Sequence, residues 1–141
     1  MSTALSETKS AINAIPVQGH LRNRTLPRRF PGLFLVFEMN IYGYMDKFVK
    51  SYNGGYWEYI ELSNGGFYMS LKSDKSFLVE IDSNGFEGTL TADAASLVAN
   101  LFVYCQLANQ HELDYLIQGF HALRDYARLH PEGHLILSAI D

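Results

Sequence analysis

The sequence predicts an α+β domain in which a four-stranded antiparallel meander packs against helices from both ends of the chain. Three observations carry this prediction. Apolar residues recur at every second position between Tyr56 and Leu90, they recur every three or four positions on either side, and Asn-Gly pairs sit at the breaks. Strands gathered in the middle with helices outside describe helices laid on a sheet. At 141 residues the chain suits one domain with one sizeable core.

Residues 1–15 permit a short helix, but Ile12 and Ile15 are its main apolar anchors. The stretch over residues 1–23 is therefore expected as a poorly anchored arm, with the folded domain over 24–141. Pro16, Pro27 and Pro31 predict an irregular basic connection up to Gly32, because proline lacks a donor and restricts its predecessor. From Leu33 to Tyr52 the spacing of Leu33, Val36, Phe37, Ile41, Tyr44, Met45, Phe48 and Val49 predicts a helix, weakened locally by Gly43. A strand over 33–37 followed by a shorter helix is the alternative. Asn53-Gly54-Gly55 supplies the stop.

The period then changes to two. Tyr56–Leu62, Phe67–Leu71, Phe77–Ile81 and Phe86–Leu90 each alternate as half-buried strands, separated by Ser63-Asn64-Gly65-Gly66, Lys72-Ser73-Asp74-Lys75 and Ser83-Asn84-Gly85. From Thr91, a plausible N-cap, the helical period returns with Ala94, Leu97, Val98, Leu101, Phe102, Cys105 and Ala108 on one stripe. A second helix is predicted from Glu112 to Leu129, ended by Pro131 and Gly133. A short helical turn is expected over Leu135–Ile140.

Cys105 is the only cysteine, which excludes an intramolecular disulfide and a cysteine zinc cage. On the apolar stripe it is expected as a buried, inert thiol. The lone cysteine suits a reducing cytoplasm, and the longest strongly apolar run, Leu33–Phe37, is too short for a membrane span. His130 and His134 have metal-ligand spacing, but Pro131 and Gly133 between them spoil the helical geometry, so a surface loop is expected. His121 and Asp125 read as an ordinary helix-surface pair. The two Asn-Gly-Gly turns lack the remaining residues of a phosphate loop and precede strands rather than helices. No catalytic residue, cofactor or metal is expected.

Two sets of residues are candidates for binding. Trp57, Tyr59 and Tyr68 form an outward-facing aromatic set, of the kind that enriches interaction surfaces, unless helices cover that face too. Arg22, Arg24, Arg28 and Arg29 are the alternative, a basic arm capable of weak contact with nucleic-acid phosphates. Residues 1–29 hold five basic residues and one acidic, a net +4, whereas the rest hold six and fourteen, a net −8. That density of carboxylates is too low for a surface imitating duplex DNA.

The run Ser51-Tyr52-Asn53-Gly54-Gly55-Tyr56-Trp57, followed by Leu62-Ser63-Asn64-Gly65-Gly66-Phe67-Tyr68-Met69, resembles the signature of the ArdB/KlcA antirestriction family. The resemblance continues through Asn84-Gly85, Gly88 and Thr91-Ala92-Asp93-Ala94-Ala95, and includes Leu26-Pro27-Arg28-Arg29-Phe30 and the closing Ala139-Ile140-Asp141. It covers the chain from about residue 24. The resemblance implies relief of type I restriction of incoming DNA, carriage on mobile DNA, and action through a type I restriction-modification complex or an associated host factor without heavy acidic mimicry. It carries over Tyr52, Gly54, Gly55, Tyr56, Trp57, Asn64, Gly65, Gly66 and Phe67 as motif positions, with Asp141 as an exposed terminal charge. The candidate partner-binding residues are thus Tyr52, Tyr56, Trp57, Tyr59, Asn64, Tyr68 and Asp141.

Overall fold

The computed structural model describes residues 11–141. Its elements are β1 (Ala14–Pro16), a 3-10 turn (Gly19–Leu21), α1 (Arg22–Arg29), α2 (Phe34–Phe48), β2 (Trp57–Leu62), β3 (Phe67–Leu71), β4 (Ser76–Ile81), β5 (Phe86–Thr91), α3 (Ala92–His111), α4 (Asp114–Leu129) and α5 (Gly133–Ile140). The α+β class holds, with all four expected strands and the two long C-terminal helices in place. The helix reading of the segment after Leu33 also holds. It ends earlier than expected, at Phe48, where Val49 turns extended before Gly54 and Gly55 take positive φ.

The meander, however, divides into two sheets, one ordered β1-β2-β3 and the other a β4-β5 hairpin. The cause lies on α3. Ser96 Oγ accepts from Leu71 N–H at 2.9 Å, Asn100 accepts from Met69 N–H at 3.0 Å and donates to Met69 C=O at 2.8 Å, and Tyr104 OH donates to Phe67 C=O at 2.8 Å. Residues four apart on a helix advance about 6 Å, close to the roughly 6.7 Å between alternate residues of a strand. A helix running antiparallel to β3 thus satisfies the edge that β4 would otherwise fill. Ser96 and Asn100 are fully buried, and burial extends around most of α3, which is the central element of the core.

Three further expectations are corrected. Part of the arm is anchored: Ala14, Ile15 and Pro16 pair antiparallel with Leu62, Glu61 and Ile60, and Val17 N–H donates to Tyr59 C=O at 2.8 Å. Of the short helix read over residues 1–15, Ala14 and Ile15 are instead strand and residues 11–13 have no regular structure, while the first ten residues lie outside the described ones. The irregular connection contains α1 despite Pro27. Leu26 and Phe30 are buried, and the Phe30 ring stacks on Phe37 with centroids 3.9 Å apart, so packing fixes a helix that propensity disfavours. Finally, Cys105 is exposed. It lies nine residues from Ser96, about two and a half turns, and so emerges on the side of α3 away from β3.

Glycine chemistry explains much of the signature. Gly55 has φ +149°, and a Cβ there would lie 2.8 Å from Leu71 Cδ1. Gly66 is buried where a Cβ would press on Ala122, Leu62 and Asn64 at 3.1 Å. Among the described residues, no helix is long and apolar enough to cross a membrane.

Candidate functional site

The signature residues split into those that build the fold and those that face outward. Trp57 opens β2 but is only 4% exposed. Its Nε1–H donates to Tyr52 OH at 3.2 Å, and its ring packs against Tyr42 and Tyr52. Tyr42 in turn donates to Glu38 at 2.8 Å, and burial, helped by that carboxylate, pushes the Tyr42 phenol above its ordinary range. Tyr56 is 55% exposed, and Tyr59 is half-buried beside it. Burial and Glu38 raise the Tyr59 phenol, against an opposing pull from Arg22.

The expected set of Trp57, Tyr59 and Tyr68 does not share a face. Tyr59 pairs with Met69 and Ile60 with Tyr68, which puts Tyr68 on the side of the sheet opposite Tyr59 and Trp57. Tyr68 is 2% exposed, and α3 and α4 supply its neighbours Asp93 and Tyr126. Trp57 and Tyr68 are therefore core residues. Asn64 also has a structural place, since its side chain accepts from Gly66 N–H at 3.0 Å and donates to Ala122 C=O at 2.9 Å, holding the turn to α4. Asp141 is exposed at the end of α5, which packs on α3, α4 and β5 rather than beside Tyr56.

Arg22, by contrast, joins the aromatic surface. The Arg22 guanidinium lies 4.1 Å from the Tyr59 ring centroid and 4.9 Å from that of Tyr56, within cation–π range. Arg29 instead pairs with Glu61 and donates to Gly65 C=O at 2.9 Å and Gly66 C=O at 3.3 Å, clamping α1 to the second glycine turn. Arg24 and Arg28 are exposed. One face thus carries Tyr56, Tyr59 and Arg22, whereas Arg24 and Arg28, roughly 160° and 120° around α1 from Arg22, line the groove beside β1. On α2, beside Glu38 and Tyr42, Leu35 and Met39 leave an exposed apolar stripe, 62% and 68% accessible.

A second polar cluster, absent from the sequence reading, joins β3, α3 and the α4–α5 junction. Tyr68 OH and Ser70 Oγ donate to one oxygen of Asp93 at 2.8 and 2.6 Å, and His130 Nε2 lies 2.9 Å from the other. His130 Nδ1 accepts from Glu132 N–H at 3.0 Å, so the ring proton sits on Nε2 and points at Asp93. Burial raises the Asp93 carboxyl, but hydrogen bonds from His130, Ser70 and Tyr68 outweigh it and hold the group below its usual range. Burial and the neighbouring Asp93 charge push the Tyr68 phenol well above its own. A serine, a histidine and an aspartate meet here in the wrong order for nucleophilic catalysis. Ser70 gives its proton to Asp93, while His130 has no contact with Ser70 and its second nitrogen is occupied. The cluster is a latch between elements. Its signal in the sequence is faint: Asp93 follows the N-cap Thr91, whose side chain accepts from Ala94 N–H at 3.2 Å, and so reads as an ordinary first-turn acid. His134 is exposed on α5 and does not join His130. Among the described residues, no group of three or more His, Cys, Asp or Glu is placed to hold a metal.

Comparison with known proteins places these features. The antirestriction protein family model matches residues 50–141. An antirestriction protein KlcA of Escherichia coli is 42% identical over 121 residues, spanning 82% of this chain and 85% of its own. A second KlcA protein of the same species is 41% identical over 127 residues, spanning 85% and 87%. A solved KlcA/ArdB structure, described as a novel fold, matches with a TM-score of 0.85 and 41% identity over 92% of this chain and 95% of that one. Its proteins are described as having antirestriction activity against Type I DNA restriction systems in vivo but not in vitro. The chain belongs to the antirestriction protein family.

Proposed function

We propose that this chain relieves type I restriction of incoming DNA as a binding protein, through the face formed by Tyr56, Tyr59 and Arg22. The observation that carries the reading is its likeness in sequence and fold to KlcA, at 41% identity and a TM-score of 0.85 over nearly the whole chain. The contrast described for those proteins, active in vivo but not in vitro, supports a target that the cell supplies beyond the purified restriction enzyme and its DNA. That target is a host factor associated with the restriction complex, met in the cytoplasm.

The chemistry of the face suits protein binding. Exposed tyrosine and arginine are the residue types that anchor interfaces, and the apolar stripe of Leu35 and Met39 extends the patch. Arg29 is already neutralised by Glu61, and Arg22 is laid over two rings, which leaves the arm few charges for a phosphate backbone. No catalytic step is assigned, because the cluster at Asp93 activates no nucleophile.

Plating of unmodified phage on cells with and without a type I system tests the proposal. The chain is expected to raise plating only where the system is active. Failure against several type I systems, with the folded protein present, refutes it.

A further inference from the structure

We infer that the groove between β1 and α1 binds an acidic segment of a protein partner, one that carries an apolar side chain between carboxylates. The groove, of about 770 Å³, runs beside the proposed contact face. Its size falls in the range of pockets that enclose a short segment or small ligand. Ile15 and Leu21 line it and are 56% and 41% exposed, aliphatic surface left uncovered among the described residues. Arg24 and Arg28 stand one helical turn apart on its α1 wall, and Arg29 and Glu61 close one side.

The charges in the groove are unequal. Among the described residues, Glu61 is its only carboxylate and is taken by Arg29. Arg28 reaches Glu61 only at 4.0 Å, with its side chain 74% exposed, so most of its donors face solvent. Among the described residues, Arg24 and Arg28 therefore remain as two planar forks, each able to take a carboxylate through paired hydrogen bonds. An aliphatic β1 side facing a basic α1 wall is complementary to a segment with the opposite charge and an apolar anchor.

The same observations disfavour a nucleic acid. Bases need aromatic platforms, and this floor is aliphatic, while the nearby Tyr56 and Tyr59 rings already hold the Arg22 guanidinium. A long polyanion would also meet the −8 charge of residues 30–141. A short acidic segment confines its charge to the groove.

The inference rests on the reading that the chain works by binding protein. It is tested with the purified full chain, titrated with a fluorescent peptide alternating glutamate and leucine. The same peptide with glutamine for glutamate and a homothymidine strand of equal length serve as comparisons. The acidic peptide is expected to bind, and the glutamine peptide is expected to bind much more weakly. The double variant Arg24→Glu with Arg28→Glu, both exposed and so compatible with an unchanged melting temperature, is expected to weaken binding by about tenfold or more, as loss of charge-assisted pairs requires. Absence of binding, or equal binding by the double variant, overturns the inference. Tighter binding of the homothymidine strand, lost in the double variant, overturns it in favour of a nucleic acid. A negative titration with phage protection intact removes the groove alone, whereas a positive titration without protection removes the antirestriction reading alone.

Discussion

Tyr56 and Trp57 are adjacent in the signature and opposite in role. Trp57 fills the core between Tyr42 and Tyr52, so Trp57→Ala is expected to cost about 3–5 kcal/mol in chemical denaturation, and any loss of activity would follow from unfolding. Tyr56→Ala is expected to stay within about 0.5 kcal/mol of wild type, as surface substitutions do, yet to lose protection. The alternation of β2 told that one set of residues faces in and the other out, but not which face the helices leave open. That depends on α1 and α2 crossing the sheet, which no local pattern encodes. Asp93 shows the same limit, since its three side-chain donors come from residues 23 to 37 positions away. Asp93→Ala is expected to cost about 1.5–3 kcal/mol, the range for hydrogen bonds to a charged group. The fold holds this carboxyl below its unfolded value, so its contribution is complete above the ordinary carboxylate range and is lost as pH falls through the lowered folded value. Wild type and Asp93→Ala should therefore converge in stability on acidification, which thermal melts across acidic pH would show.

At the scale of elements, the α3–β3 edge explains why the sequence predicts one sheet and the chain forms two. Strand existence and the turns at Asn64-Gly65 and Asn84-Gly85 were legible because alternation and positive-φ residues are local. What occupies the outer edge of β3 was not, although the buried polar residues Ser96 and Asn100, spaced by four within an apolar helix, are a usable signal. Asn100→Leu leaves the Met69 N–H and C=O without partners. It is expected to cost about 2–6 kcal/mol in denaturant unfolding, at roughly 1–3 per unsatisfied buried group. A stability within error of wild type would show that the edge is satisfied in another way. Helix α1 was illegible for the converse reason. Pro27 argues against a helix locally, and only the burial of Leu26 and Phe30 against the core overrides it.

For the whole molecule, the fold brings together residues that lie far apart in the sequence, Arg22 and the aromatics Tyr56 and Tyr59, onto one face. Composition separated a basic N-terminal segment from an acidic remainder, and the signature carried the family likeness, but neither indicated that Arg22 would lie over Tyr56 and Tyr59. The central claim is that this joint face is the antirestriction contact. Its most direct test is the plating efficiency of unmodified phage on a type I host expressing wild type, the double variant Tyr56→Ala with Arg22→Gln, or Asp125→Asn on the exposed side of α4, with each variant's melting temperature measured. The account predicts full protection by wild type and Asp125→Asn, and loss of protection by the double variant at an unchanged melting temperature. Full protection by the folded double variant would contradict it.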